Sequence, residues 1–203
     1  MENAVPSVIG VDGAYVERSS LLIDEAQFRS FDLAQPFDLG DTFDLVVSLE
    51  VAEHLAAQHA AGFVDNLVRH GRKVLFSAAT PGQGGEFHVN EQPLQYWREH
   101  FAARGFQCFD PLRSRLSTEN RVEPWYRYNS LLYVREDAVS ELPEVVQATR
   151  IPEGTPIPDV APVSWRARNA VLRTLPRPLV EALAKLKHEW VRQKRRKELA
   201  DAP

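Results

Sequence analysis

The segment Phe43-Asp-Leu-Val-Val-Ser-Leu49 constrains this chain most. It is apolar on both faces after Asp44 and ends on Glu50. It then runs into a stretch from Ala52 to Arg69 whose Leu55, Phe63, Leu67 and Val68 recur at helical spacing. A strand apolar on both faces must be covered on both, which a sheet flanked by helices achieves and a half-solvated antiparallel sheet does not. The pattern recurs along the chain. Val8-Ile-Gly-Val-Asp12 reads as a strand, residues 17 to 28 as a short helical stretch and Arg29-Ser-Phe-Asp-Leu33 as a second strand. Lys73-Val-Leu-Phe-Ser-Ala78 follows a helix expected to stop at Gly71. A helix over about Pro93 to Arg104 closes at Gly105, and strands are expected near Gln107 to Leu112 and Ser130 to Arg135. This alternation predicts an α/β fold with a doubly wound, Rossmann-like sheet that binds ligands at the carboxyl ends of its strands.

Three acids fall at that edge: Asp12 ends one strand, Asp32 lies in the next and Glu50 follows a third. An acid ending the second strand of such a sheet can accept both hydroxyls of a ribose, although an acid after an apolar run also serves as a turn residue or helix cap. A chain of 203 residues is long enough for one domain with a sizeable core and an appendage. No apolar run approaches the roughly 20 residues that a bilayer span requires. The N-terminus lacks the basic and apolar regions of a secretory signal, so a cytoplasmic location is expected. Cys108, the single cysteine, has no disulfide partner and is expected to be a small buried hydrophobe. The six histidines and one cysteine show no zinc-like spacing along the chain, so no metal site is expected.

Charge divides the sequence. Residues 1–150 carry 13 basic against 22 acidic side chains, whereas residues 151–203 carry 11 against 6. Ile151 to Pro162 holds four prolines and reads as an extended linker leaving the domain. Residues 163–203 then form a basic helical tail. Ser164 is placed to cap a helix bearing Trp165, Val171 and Leu172, and a second helix from Leu179 to about Leu199 carries Leu183, Leu186 and Trp190 on one stripe. That stripe wants a partner surface, as a lid, a homo-oligomer contact or a protein-binding face. The basic end, Arg192 to Lys197, complements the helix dipole and has no interleaved aromatics, so nucleic acid is not expected as a partner.

Four runs taken together, Val8-Ile-Gly-Val-Asp-Gly13, Phe31-Asp-Leu33, Phe43 to Leu55 and Val74-Leu-Phe-Ser-Ala-Ala-Thr-Pro-Gly82, carry a family likeness over residues 5 to 136. The chain resembles the class I S-adenosylmethionine-dependent methyltransferases, particularly their small-molecule branch. The resemblance implies that Asp12 and Gly13 meet the ribose, Asp32 the adenine amino group and the Leu33 backbone the ring, with Glu50 beside the methionine part. The family's first strand, glycine-rich turn and first helix have no counterpart in this sequence. That strand would lie between the strands of Val8 to Asp12 and Phe43 to Leu49. Either those two strands pair directly, another segment or chain fills the place, or the sequence is incomplete.

On the substrate side, Pro81-Gly-Gln-Gly-Gly-Glu-Phe-His-Val-Asn-Glu-Gln92 is a polar, glycine-rich loop after a buried strand. His88 is the first candidate for a general base and His54 the second. Asn90, Glu91, Trp97, Trp125 and Tyr126 are candidates for the acceptor pocket, with Tyr128 beside them. Two functions follow. The first is methyl transfer from S-adenosylmethionine to an oxygen or nitrogen of a small molecule, such as a sugar or metabolite precursor. The second is a noncatalytic methyltransferase-like module acting through a protein partner. A dinucleotide enzyme is disfavoured because no Gly-x-Gly-x-x-Gly follows a strand.

Overall fold

The computed structural model describes residues 7–176, 178–180, 182 and 184–186. Strands β1 (Gly10–Asp12) and β2 (Phe28–Ser30) form a parallel pair. The second sheet contains β3 (Val46–Leu49), β4 (Lys73–Ser77), β5 (Phe106–Phe109), β6 (Leu131–Arg135) and β7 (Arg150–Ile151), in the spatial order β3-β4-β6-β5-β7. β3 and β4 run parallel, while β6 lies antiparallel between β4 and β5. Helices α1 (Ala60–Arg69) and α2 (Leu94–Ala102) pack on one face, where Phe63, Val64 and Leu67 meet Val74, Phe76, Trp97, Phe101 and Tyr133. Phe101 and Tyr133 stack with ring centroids 4.0 Å apart. Phe109, Val134, Ala138 and Leu142 form a smaller cluster, Ala138 and Leu142 coming from the segment after β6.

Strands stand near each of the expected places, but they are divided between two sheets. β1 and β3 do not pair, and among the described residues no strand lies between them. β3 therefore pairs on one side only. Leu45 and Val47, read from sequence as doubly covered, are 47% and 55% exposed. The two sheets are joined by a strap, residues 35–39, laid along α1. Asn66 accepts from the Phe37 amide at 3.1 Å and donates to the Gln35 carbonyl at 2.9 Å. The His70 Nε2 accepts from the Leu39 amide at 2.9 Å while its Nδ1 meets the Asn66 carbonyl at 2.6 Å. His70 thus holds one tautomer, protonated on Nδ1.

Several elements differ from the sequence reading. Residues 17 to 28 form only two short 3-10 turns, Arg18–Ser20 and Glu25–Gln27, the second closed by a capping box between Asp24 and Gln27. The helix expected from Ala52 begins only at Ala60, after 3-10 turns at Ala52–His54 and Ala57–His59. The cause is local: the Glu53 carbonyl accepts from the amides of Val89 and Asn90 at 2.9 and 3.0 Å, a role that replaces the first helical bond. Gly71 does not act as a left-handed cap, since its neighbourhood requires glycine for another reason. A Cβ there would lie 2.8 Å from Val46 Cγ2 and 3.0 Å from the Phe43 carbonyl oxygen, where the chain bridges to Phe43.

The proline-rich segment does not leave the domain. Ile151 pairs with Cys108 across β7 and β5, Ile157 packs on the core, and the buried Arg98 reaches the carbonyls of Ile151, Pro152 and Thr155. A guanidinium's fixed fork of donors suits three converging carbonyls. After the short helices α3 (Arg113–Leu116), α4 (Pro124–Asn129) and α5 (Glu144–Gln147), helix α6 (Val163–Thr174) follows the segment, with Pro162 rather than Ser164 at its N-cap. Most of the second tail helix, with Leu183, Trp190 and the basic run Arg192 to Lys197, lies outside the described residues. No described helix is long and apolar enough to cross a membrane.

Gly71→Ala should lower stability by about 1–3 kcal/mol, the usual cost of forcing a methyl into filled space. A fall in the urea midpoint measures it; an unchanged midpoint would mean that the start of β3 is free to shift.

Candidate functional site

The acids read from sequence each follow or close a strand, Asp12 and Asp32 on the small sheet and Glu50 on the large one. Asp12 closes β1, and its Oδ1 accepts from the Gly13 amide at 2.7 Å and from the Tyr15 hydroxyl at 2.5 Å. The hydrogen bond to Asp12 raises the Tyr15 phenol above its ordinary range. Tyr15 lies over Gly13 so closely that a Cβ would sit 2.2 Å from its ring, and a side chain there would displace the exposed tyrosine. The Phe31 amide donates to the Asp12 carbonyl at 3.0 Å, bringing the chain after β2 beside the end of β1. Asp32 lies two residues beyond β2 and accepts from the Ala34 amide at 2.9 Å, an Asx-type turn that leaves it exposed. Leu33 packs its side chain against the core.

Glu50, directly after β3, has φ of 56°, a left-handed conformation uncommon outside glycine. Its amide donates to the Ser77 carbonyl at 3.0 Å, tying the turn to β4. Its Oε2 accepts from Gln83 at 2.6 Å, and Gln83 in turn accepts from the buried Asn129 at 2.8 Å. The other oxygen, Oε1, is buried without a partner.

The centre of the site is Glu53. It is wholly buried, and neither carboxylate oxygen has a hydrogen-bond partner. Burial first, and then the charge of Glu50, pushes its carboxyl up to about 7. His88 Nε2 lies 3.9 Å from Glu53 Oε1. The ring of His54, on the solvent side, meets that of His88 edge-on with centroids 5.0 Å apart. Partial burial and the neighbouring His88 lower the His54 pKa, while the Phe87 backbone and the charge of Asp12 oppose that change. This electrostatic link also sets β1's acid in the surroundings of the histidine pair.

His88 is held from behind. Its Nδ1 is 3.0 Å from Glu91 Oε1, and Glu91 also accepts from the amides of Gly82 and Gly84 at 2.7 and 2.8 Å. These bonds keep the Glu91 carboxyl below its ordinary range against the opposing effect of burial. A carboxylate only accepts, so Nδ1 carries the proton and a neutral His88 presents its Nε2 lone pair to Glu53. Glu91, expected to face substrate, instead fastens the glycine-rich loop. Asn90 is buried, its amide bound to the Glu53 carbonyl and its Oδ1 to Gln92.

The expected aromatic wall is rearranged. Trp97 is 1% exposed and belongs to the core beside Phe76, because α2 turns that face inward. Trp125 and Tyr126 lie on α4 (Pro124–Asn129) with ring centroids 6.1 Å apart. A cleft of about 680 Å³ is lined instead by Tyr128, Asn129, Trp165 and Asn169 among others. Helix α6 covers the glycine-rich loop, where Arg168 donates to the Gln83 carbonyl at 2.8 Å and a Cβ on Gly82 would strike the Asn169 carbonyl at 2.3 Å.

Sequence reading missed Tyr15, Gln83, Asn129 and above all Glu53. The usable signal was Glu50-x-x-Glu53-His54, three polar groups within one turn of a strand end. The expectation of no metal-ligating cluster rested on spacing along the chain; folding brings Glu53, His54 and His88 together, with one ligand atom of each within 4.8 Å of the others.

These features define an α/β protein with a polar, acid-rich edge where its parallel strands end. Compared with known proteins, the chain matches no family model and no curated protein. Among solved structures it is similar to magnesium protoporphyrin IX methyltransferase from Synechocystis PCC 6803, crystallised with bound SAM. The identity is 21%, covering 59% of this chain and 50% of that one, with a TM-score of 0.36. The chain spans about half the length of that enzyme.

Cys108 takes no part in this chemistry. Burial on β5 pushes its thiol up to about 12, so almost no thiolate exists near neutrality. The native protein should resist iodoacetamide at pH 8 and react promptly in urea; rapid labelling of the native form would contradict this burial.

Proposed function

We propose that this chain binds S-adenosylmethionine along the carboxyl ends of β1 and β3 and transfers its methyl group to an oxygen or nitrogen of a small molecule. The observation that carries the reading is the His54–His88 pair set against the buried Glu53 after β3, together with a Glu50 oxygen that is buried and unsatisfied. Such an oxygen is costly unless a ligand donates to it. Asp12 and Gly13 would hold the ribose, Asp32 and the Leu33 backbone the adenine, and Glu50 would face the methionine part.

Bound S-adenosylmethionine supplies a methyl group already activated on sulfonium. The chain's own work is therefore positioning and removal of one proton from the acceptor. His88 is the group best placed to take it. Glu91 sets its tautomer and leaves Nε2 as the acceptor, and the imidazolium formed would be stabilised by Glu91 and Glu53 on either side. His54 is second, being nearer solvent and held by the Phe87 backbone. The acceptor would sit in the cavity that His88 itself lines with Asn90, Glu91 and Leu172 of α6, which adjoins the cleft beside Tyr128 and Trp165 through Pro81 and Arg173.

A second reading, a noncatalytic module that binds a protein partner, is favoured by one observation. The free side of β3, with Leu45 and Val47 exposed, is a template for another strand.

Calorimetry with S-adenosylhomocysteine separates the two. Micromolar binding weakened at least tenfold by Asp12→Ala supports the first, and absence of binding supports the second. With an acceptor in hand, His88→Ala should lower kcat about 100- to 10,000-fold, the usual range for a general base, with S-adenosylhomocysteine affinity unchanged. Unchanged turnover would remove His88 from the mechanism.

A further inference from the structure

We propose that Glu53, His54 and His88 form a site for a divalent transition-metal ion, of the two-imidazole, one-carboxylate type that suits Zn²⁺. The proposal rests on the cluster's own geometry and holds whether or not the chain transfers methyl groups.

Three observations carry it. One nitrogen or oxygen of each side chain lies within 4.8 Å of the others. A tetrahedral ion with bonds of about 2.0–2.1 Å sets its ligand atoms about 3.4 Å apart, so closure requires side-chain movements on the order of 1 Å. Glu53 is 0% exposed, yet both of its oxygens lack a hydrogen-bond partner and one faces His88. A buried carboxylate in that condition calls for a cation or a proton.

The third observation is the support behind the ligands. Glu91 accepts from His88 Nδ1, which turns the Nε2 lone pair toward Glu53, the same arrangement by which a carboxylate orients a metal-binding histidine. Nε2 of a neutral His88 and Oε1 of Glu53 then lie 3.9 Å apart, a pair of atoms that one shared proton or one cation can join. The Phe87 backbone interacts with His54 in a similar supporting role. The loop carrying His88 is itself registered by the two amide bonds from Val89 and Asn90 to the Glu53 carbonyl. Glu50 and Asp12 add negative charge around the cluster, and exposed His54 provides the entry from solvent.

Three protein ligands leave a coordination position open, as catalytic rather than structural zinc sites do. An acceptor hydroxyl bound there would lose its proton more readily through polarisation by the ion. With the ion in place His88 would be a ligand rather than a base, and the proton of the polarised hydroxyl would pass to solvent water on the exposed His54 side.

The test uses the full chain, freed of metal by chelation and titrated with Zn²⁺ by calorimetry and with Co²⁺ by visible absorption. The expected result is one ion per chain, with the absorption of a nitrogen- and oxygen-ligated tetrahedral or five-coordinate Co²⁺. His88→Ala and Glu53→Gln should each weaken binding at least about 100-fold, and Glu91→Gln about 10- to 100-fold, as loss of a supporting carboxylate does. His54→Ala, an exposed substitution that leaves the core intact, guards against misfolding of the others and should also weaken binding; His59→Ala should not. Absence of saturable binding, or binding unchanged by His54→Ala and His88→Ala, would overturn the site. Neither outcome depends on S-adenosylhomocysteine binding, so this proposal and the methyl-transfer reading fail separately.

Discussion

A single buried carboxylate organises the functional edge of this protein. Glu53 is shut away from solvent with both oxygens unpartnered, while its backbone carbonyl receives two amides from the loop beyond β4. Desolvating a carboxylate costs several kcal/mol, so the folded chain must supply a proton or a cation to compensate. The same residue delays the start of α1 and fixes the register of the His88 loop. The placement of His88, the orientation imposed by Glu91 and the grip of α6 on residues 82–85 all build on that anchor.

The second constraint is the divided sheet. β1 and β2 are connected to the main sheet through the strap along α1, where Asn66 and His70 satisfy backbone groups that would otherwise lie unpaired. The strap combines these polar anchors with ring packing, Phe37 stacking on both Phe31 and His70. It keeps Asp12 close enough for its charge to act on His54 although no strand joins β1 to β3. The backbone thus forms two separate sheets, and among the described residues no strand of one pairs with a strand of the other. Any ligand or strand that bridges them would stabilise both.

Much of this architecture was legible in the sequence. The apolar runs ending at Asp12, Glu50 and Ala78 and the tract near Tyr133 read as strands from their short unbroken apolar composition, although close burial holds for β4 and β6 and not for β1 or β3. The helix containing Trp97 read correctly, but its periodicity did not tell whether Trp97 faced the core or a pocket. The proline-rich segment after Ile151 read as a departing linker, since composition shows the loss of regular structure and not the docking of carbonyls onto Arg98. Gly71 read as a helix stop, whereas its real constraint is the nearness of Val46 and Phe43, a tertiary contact with no local signature. The acids at the strand ends were recognisable singly. Their meeting with His88, 35 residues beyond Glu53 in the chain, depends on a loop closure that spacing does not encode.

The central claim is that the working edge lies where β1 and β3 end. Hydrogen exchange of the full chain, with and without S-adenosylhomocysteine, measures this directly. The account predicts slowed exchange in residues 10–15 and 46–54, with little change along the outer face of α1. Protection confined to the cleft beside Tyr128 and Trp165, or no protection at any amide, would contradict it.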